Sequence, residues 1–226
     1  MYLYKYRDFS KCNLDALCRN ELYFARGLCF NDLFDCTIHV PIDLMDYERY
    51  KYFIENHTVA KNLVGPKKEI ERIINSLVIN GLKELKHIEE QQSIKNHPVY
   101  DVLLPVRASL VRSFAYCLSE DCVSDLMWAY YGGSHKGFCI KFNKEIMLKD
   151  VSPQYAQKVV YEDNIVNIMD ALNNGDFLSR DVLFKKSARW QHENEFRLIH
   201  SDLADDDHDN IRKCNYSDEA IECIIF

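Results

Sequence analysis

A block of helical periodicity sits inside a chain that elsewhere alternates with the period of extended strands. That contrast limits the fold more than any single motif does. After Gly65-Pro66, Ile70, Ile73, Ile74, Leu77 and Val78 fall at i, i+3, i+4, i+7 and i+8, the spacing of one inward-facing helical stripe. Asn80-Gly81 is expected to interrupt this helix before Leu82, Leu85 and Ile88 resume it. Pro41 suits the first turn of another helix running to about Asn56, so residues 41–95 read as a helical insertion. On either side, residues 2–6, 21–25, 113–120, 137–142, 158–161, 194–200 and 220–226 read as strands. Residues 13–19, 125–131, 164–172 and 177–189 read as helices, and DLADDDHDN at 202–210 as a solvated hairpin loop. No repeat or linker divides the 226 residues, and the expectation is one α+β domain spanning 1–226.

The net charge of −7 argues against a broad electrostatic grip on nucleic acid or anionic lipid. No apolar run approaches the ~20 residues that cross a bilayer. The opening MYLYKYRDFS reads as a strand, so no signal peptide is expected and the expected location is cytoplasmic. The nine cysteines include no CxxC pair. They read as reduced and mostly buried, with Cys117, Cys139 and Cys223 inside apolar strings. Cys117, Cys122 and His135 come nearest to a metal-ligand set, and their spacing does not make one.

Two stretches carry candidate chemistry. In KKSARWQHENEFRLI (185–199), an extended 193–199 would turn Glu193, Glu195 and Arg197 to one face and Phe196 and Leu198 to the other. Two carboxylates so placed stand about 6–7 Å apart. That separation suits binding a sugar hydroxyl while stabilising a cation, but it equally suits an exposed face whose charges pair with each other. In LMWAYYGGSHKGFCIKF (126–142), Trp128 and Tyr131 form an aromatic wall. Gly132-Gly133 permit a close turn, and Ser134, His135 and Lys136 bring donors beside a surface able to stack a nucleotide or nicotinamide ring. Ser119 ends a buried strand and is either a site edge or a cap, while Lys5, Tyr6 and Arg7 close the first strand and point toward the same cleft. Asn31, Asp32 and Asp35 read first as loop formers.

LYKYR, ELYFA with FNDLFDC, YCLSE, LMWAYYGGSHKGFCIKF and LFKKSARWQHENEFRLI, in this order over residues 3–199, resemble a widespread bacterial and phage family catalogued as a domain of unknown function. Ala25-Arg26 and Asn31-Asp32-Leu33 depart from that family's Ser-Pro and Asn-Asp-Pro. A more distant resemblance is to the ADP-ribosyltransferase superfamily. It implies a split mixed or antiparallel sheet with NAD, as substrate, in a cleft across the split. It implies catalytic roles for Glu195 and Glu193, with Glu195 engaging the ribose and Glu193 activating an acceptor. It also implies cofactor contacts from Lys5, Tyr6, Arg7, Ser119, Trp128, Tyr131, His135 and Lys136. The acceptor stays open between protein, nucleic acid, small molecule and water. A toxin or phage-defence role, with a neutralising protein partner and no membrane, follows from the family's setting. Two rivals stand beside this expectation. One is a non-catalytic nucleotide-binding sensor. The other is a metal-dependent nuclease using Asp32, Asp35, Glu193 and Glu195.

Overall fold

The computed structural model describes residues 1–26, 30, 32, 35–36, 46–56, 61–91, 110, 112–163, 182–201 and 212–226. The expected helix at 164–172, the acidic loop at 202–210, Asn31 and Pro41 lie outside them. The chain divides into two compact units, Met1–Thr37 with Ser109–Ile165 and Val182–Phe226, and Ile38–Ala108 with Val166–Asp181.

The first unit is built from β1 (Tyr2–Arg7), α1 (Lys11–Cys18), β2 (Glu21–Tyr23) and β3 (Ala25–Arg26), then β4 (Ser113–Ser119). Helix α4 (Asp125–Tyr131), β5 (Phe138–Asn143), α5 (Lys144–Val151), β6 (Tyr155–Lys158) and β7 (Val160–Glu162) follow. The chain closes with β8 (Lys185–Ser187), a 3-10 turn at Ala188–Glu193, β9 (Glu195–Ser201), β10 (Lys213–Asn215) and β11 (Ile221–Ile225). The main sheet runs β11-β5-β1-β4-β9-β6, with β3 also pairing with β4, and each of its pairings is antiparallel. The α+β expectation therefore holds. β2 pairs with β10, and β7 pairs with β8 in parallel, outside the main sheet.

Alternation explains the core. Leu3 of β1, Phe114, Tyr116 and Leu118 of β4, Phe138, Ile140 and Phe142 of β5, and Phe196 and Leu198 of β9 share one buried cluster with Met147 and Val151 of α5. Each large apolar side chain so buried contributes about 1.5–3 kcal/mol. Helix α5 starts where Asn143 accepts the amides of Glu145 and Ile146, which satisfies donors left free by the first turn.

In the second unit, α2 (Tyr47–Asn56) packs on α3 (Lys67–Gln91). The Pro66 carbonyl takes the Glu69 and Ile70 amides and opens α3 as expected. Helix α3 is not broken at Asn80-Gly81. Gly81 is a contact position, where a Cβ would run into the Tyr50 ring and hydroxyl of α2. The inward stripe is also narrower than expected: Ile74 and Val78 are buried while Ile73 is exposed.

Three other expectations change. Residues 185–187 form strand β8 rather than part of a helix over 177–189, because parallel pairing with β7 satisfies their backbone. The single strand expected at 158–161 is two, β6 and β7, which belong to different sheets. Cys223 is exposed rather than buried, since β11 is an edge strand; every described cysteine is free. Among the described residues, no helix is long and apolar enough to cross a membrane.

Candidate functional site

β1 and β4 are joined at one register pair, Tyr4 opposite Ser119. By contrast, β1 pairs with β5 over six positions and β4 with β9 over seven, so β1 and β4 part beyond that point. β3 rejoins the same edge of β4 at Ala115 and Phe114. Between these two junctions lies a cavity of about 810 Å³, lined from β1 by Lys5 and Arg7 and from β4 by Tyr116 to Ser119. Tyr131 of α4, Asp35, Lys186, Glu193 and Glu195 line it as well.

Five charged side chains form a buried cluster at the wall. Arg197, fully buried, holds Asp35 through two contacts, Nη1–Oδ1 at 3.0 Å and Nη2–Oδ2 at 2.9 Å. It holds Glu195 through two more, Nε–Oε1 at 2.7 Å and Nη2–Oε2 at 2.9 Å, and Nη1 also donates to the Leu183 carbonyl at 2.6 Å. Lys186 Nζ lies 2.5 Å from Glu193, 3.3 Å from Asp35 and 3.4 Å from Glu195. Tyr131 donates to Glu193 Oε1 at 2.5 Å. Bidentate charge-assisted contacts of this kind offset the cost of burying ions only when nearly every donor and acceptor is matched, as here.

The titration of these groups follows from that packing. Burial pushes the Glu195 carboxyl up, but Arg197 and Lys186 outweigh it and hold the group at about 2. Burial also works against the Lys186 ammonium, yet Glu195, Asp35 and Glu193 keep it above the ordinary lysine value. The opposite happens to Lys5. Burial, reinforced by Arg7, brings its ammonium down to about 7. Burial and the Glu195 charge raise the Cys117 thiol, so it is no ready nucleophile.

Glu193 and Glu195 come together, though not as an extended pair. Glu193 ends the 3-10 turn, and Asn194 adopts a left-handed conformation (φ 42°), which asparagine tolerates better than most residues. That reversal brings Glu193 beside Lys186, while Ser119 Oγ pins the turn by donating to the Glu193 carbonyl at 2.7 Å. Ser119 thus lines the cavity with its hydroxyl already engaged, since it also accepts the Asp121 amide at 3.1 Å.

Lys5, Tyr6, Arg7, Ser119, Tyr131, Glu193 and Glu195 all reach this cavity. Trp128, His135 and Lys136 are not among its lining residues. Trp128 packs edge-on against Tyr6 with ring centroids 5.2 Å apart, and its Nε1 donates to the Cys122 carbonyl. His135 and Lys136 sit on the exposed turn after α4, where hydrogen bonds from Lys136 and Gly137 to Gly132 direct them outward. The aromatic wall of the site is therefore Tyr131 with Tyr130 and Tyr116.

Lys186 is the participant that sequence reasoning missed. β8 alternates, so Lys185 pairs with Glu162 at the surface while Lys186 turns inward. The available signal was charge: two buried carboxylates and an aspartate require more than one cation. Asp35, first read as a loop former, is buried in the cluster, whereas Asp32 takes no part in its contacts. No group of three or more His, Cys, Asp or Glu side chains among the described residues is arranged to hold a metal ion. Where Asp35, Glu193 and Glu195 converge, the Lys186 ammonium stands in the middle.

Residues 127–198 match the family described as Protein of unknown function (DUF2971). The matched stretch contains Tyr131, Lys186, Glu193, Glu195 and Arg197 but neither β1 nor Ser119. No curated protein and no solved structure matches the chain.

Proposed function

We propose that the cavity between β1 and β4 binds NAD and that the chain is an ADP-ribosyltransferase-like enzyme. One observation carries the reading: the first strand, Tyr131 and the late acidic pair, distant in sequence, line a single cavity of about 810 Å³. Cleavage of the nicotinamide–ribose bond sends the bonding electrons out with nicotinamide and leaves positive charge at the anomeric carbon. In the buried cluster three carboxylates meet two cations, so its formal charge is −1. A fixed negative charge in a site shielded from water lowers the energy of such a cation.

Glu193 is the carboxylate assigned to face it: its partners are one tyrosine hydroxyl and one ammonium, whereas Glu195 is clamped through both oxygens by the Arg197 guanidinium and also contacted by Lys186. In this reading Glu195 and Arg197 set the geometry, Arg7 meets a phosphate and Tyr131 packs against the nicotinamide. The acceptor is not specified by these residues. A cytoplasmic setting suits a chain whose described cysteines are all free. A toxin or phage-defence role with a neutralising partner extends the same reading.

The test is nicotinamide release on incubation with NAD, followed by chromatography. Release by the wild type, lost in Glu193→Gln with the circular dichroism unchanged, supports the proposal. The ion pairing of both carboxylates favours a second reading, a non-catalytic nucleotide-binding module. NAD binding without turnover in either form would select it.

A further inference from the structure

Two lysines face the same cavity in opposite surroundings. Lys186 is enclosed by three carboxylates. Lys5 has no carboxylate within ion-pair distance among the described residues; its Nζ donates to the Cys117 carbonyl at 2.5 Å and lies 4.5 Å from the centre of the Tyr116 ring. The Cys117 carbonyl sits on the stretch of β4 between its junctions with β1 and β3, so the Lys5 amine supplies a donor where a strand amide is absent. Arg7, on the same face of β1, likewise has no carboxylate within ion-pair distance among the described residues; it stands 5.8 Å from the same ring, and its charge bears on the Tyr116 hydroxyl and on the neighbouring Asp8 carboxyl. One lysine is locked as a cation. The other is a half-buried amine beside a fixed positive charge, a setting that activates lysine toward carbonyl carbon.

We propose that Lys5 is an amine nucleophile that forms an imine with an aldehyde or ketone carrying an anionic group, the anion resting against Arg7. The Lys5 Nζ lone pair attacks the carbonyl carbon, the C=O π bond breaks toward oxygen, and one of the two amine protons passes to that oxygen to give a carbinolamine. The C–O bond then breaks as the hydroxyl leaves, the nitrogen lone pair forms the C=N bond, and the second amine proton goes to the departing hydroxyl to complete a water molecule. No oxidant or reductant takes part. The lowered ammonium value agrees with this assignment, because the free amine is abundant near neutral pH, whereas an ordinary lysine keeps roughly one amine in three thousand unprotonated at pH 7. The groups that bear on Lys5 are Arg7 of β1, Cys117 of β4, Cys139 of β5, and Glu193 and Glu195. The assignment rests on the cavity and on these neighbours, and it is independent of NAD.

The experiment treats the full-length chain at pH 7 with limiting pyridoxal 5′-phosphate, an aldehyde bearing a phosphate. Borohydride then reduces any imine to a stable secondary amine, and peptide mass spectrometry locates the label. Lys5 is expected to take at least about 10-fold more label than the exposed Lys136 of the same molecules, an internal comparison that needs no variant. Pyridoxal, which lacks the phosphate, should label Lys5 less, and Arg7→Gln should remove the difference between the two reagents. Label distributed according to exposure, with Lys5 at or below Lys136, overturns the proposal. Labelling of Lys5 that begins only near the pH of ordinary lysines overturns it as well. Neither result touches nicotinamide release, so failure here and failure of the NAD reading are separately visible.

Discussion

Arg197 and Asp35 form a two-point ion pair, at 3.0 and 2.9 Å, across 162 positions of sequence. Both side chains are buried, so the pair ties the segment around Asp35 to the centre of β9 without solvent to replace either partner. Arg197 also holds Glu195, and one substitution therefore strands two carboxylates. Arg197→Met is expected to lower unfolding free energy by about 3–5 kcal/mol, the usual cost of breaking a buried pair from one side. Asp35→Asn should cost less, because its amide still accepts one of the guanidinium bonds. In urea denaturation, the double variant should be less destabilised than the sum of the two single changes. Strict additivity would show that the pair carries no coupling.

The Glu195 carboxyl gives the fold an acid limit. Its folded value, about 2, lies below the ordinary 4.5, so the folded state releases its proton more readily than the unfolded chain. The stabilisation this provides is full above about pH 4.5 and disappears as pH falls from there toward 2. Glu195→Gln removes that titration. Its unfolding free energy, followed by denaturant titrations at successive pH values, should slope less steeply than wild type across this window. Equal slopes would mean that Glu195 is not held ionised by Arg197 and Lys186.

Gly137 tests how closely β1 and the turn after α4 approach each other. A Cβ there would run into the Arg7 carbonyl and the Gly132 carbonyl, both backbone atoms with no side-chain freedom to yield. Gly137→Ala is expected to cost about 1–3 kcal/mol, in the range of overpacked interiors. It should also displace Arg7 and so weaken any anion held at the cavity. Thermal unfolding together with binding of a phosphate-bearing ligand checks both effects, and a stable, fully binding variant would show that the two segments can separate at little cost.

What could be read in the sequence was whatever depends on local periodicity. Phe114, Tyr116 and Leu118 alternate in the sequence and point to one core, so β4 was legible, as were α4 with its Gly132 stop and the start of α3 at Pro66. The joining of Glu193 to Glu195 was legible for an incomplete reason. Strand alternation supplied Glu195 and Arg197, while Glu193 arrives through the left-handed Asn194, a conformation no period reveals. Lys186 was hidden because its partner strand, β7, lies 25 residues earlier and pairs in parallel. Trp128 lies outside the cavity lining because an aromatic beside a glycine turn fits a core contact as well as a ligand, and here it packs edge-on with Tyr6.

Lys5 should leave a signature on the alkaline side of neutrality. Its folded ammonium, about 7, lies below the ordinary 10.5, so between these values the unfolded chain binds more protons than the folded one. By linkage, this residue's contribution to stability rises with pH across that window. Below it, the folded state carries the cost of a half-buried cation beside Arg7. Raised values at buried Tyr6 and Cys139 act in the opposite direction as pH climbs further, so the comparison must be between wild type and Lys5→Met rather than within one curve. The unfolding free energy of wild type minus that of the variant is expected to increase steadily from about pH 7 upward. A flat difference would mean that Lys5 keeps its proton as an ordinary surface lysine does, and its role would then reduce to donating to the Cys117 carbonyl.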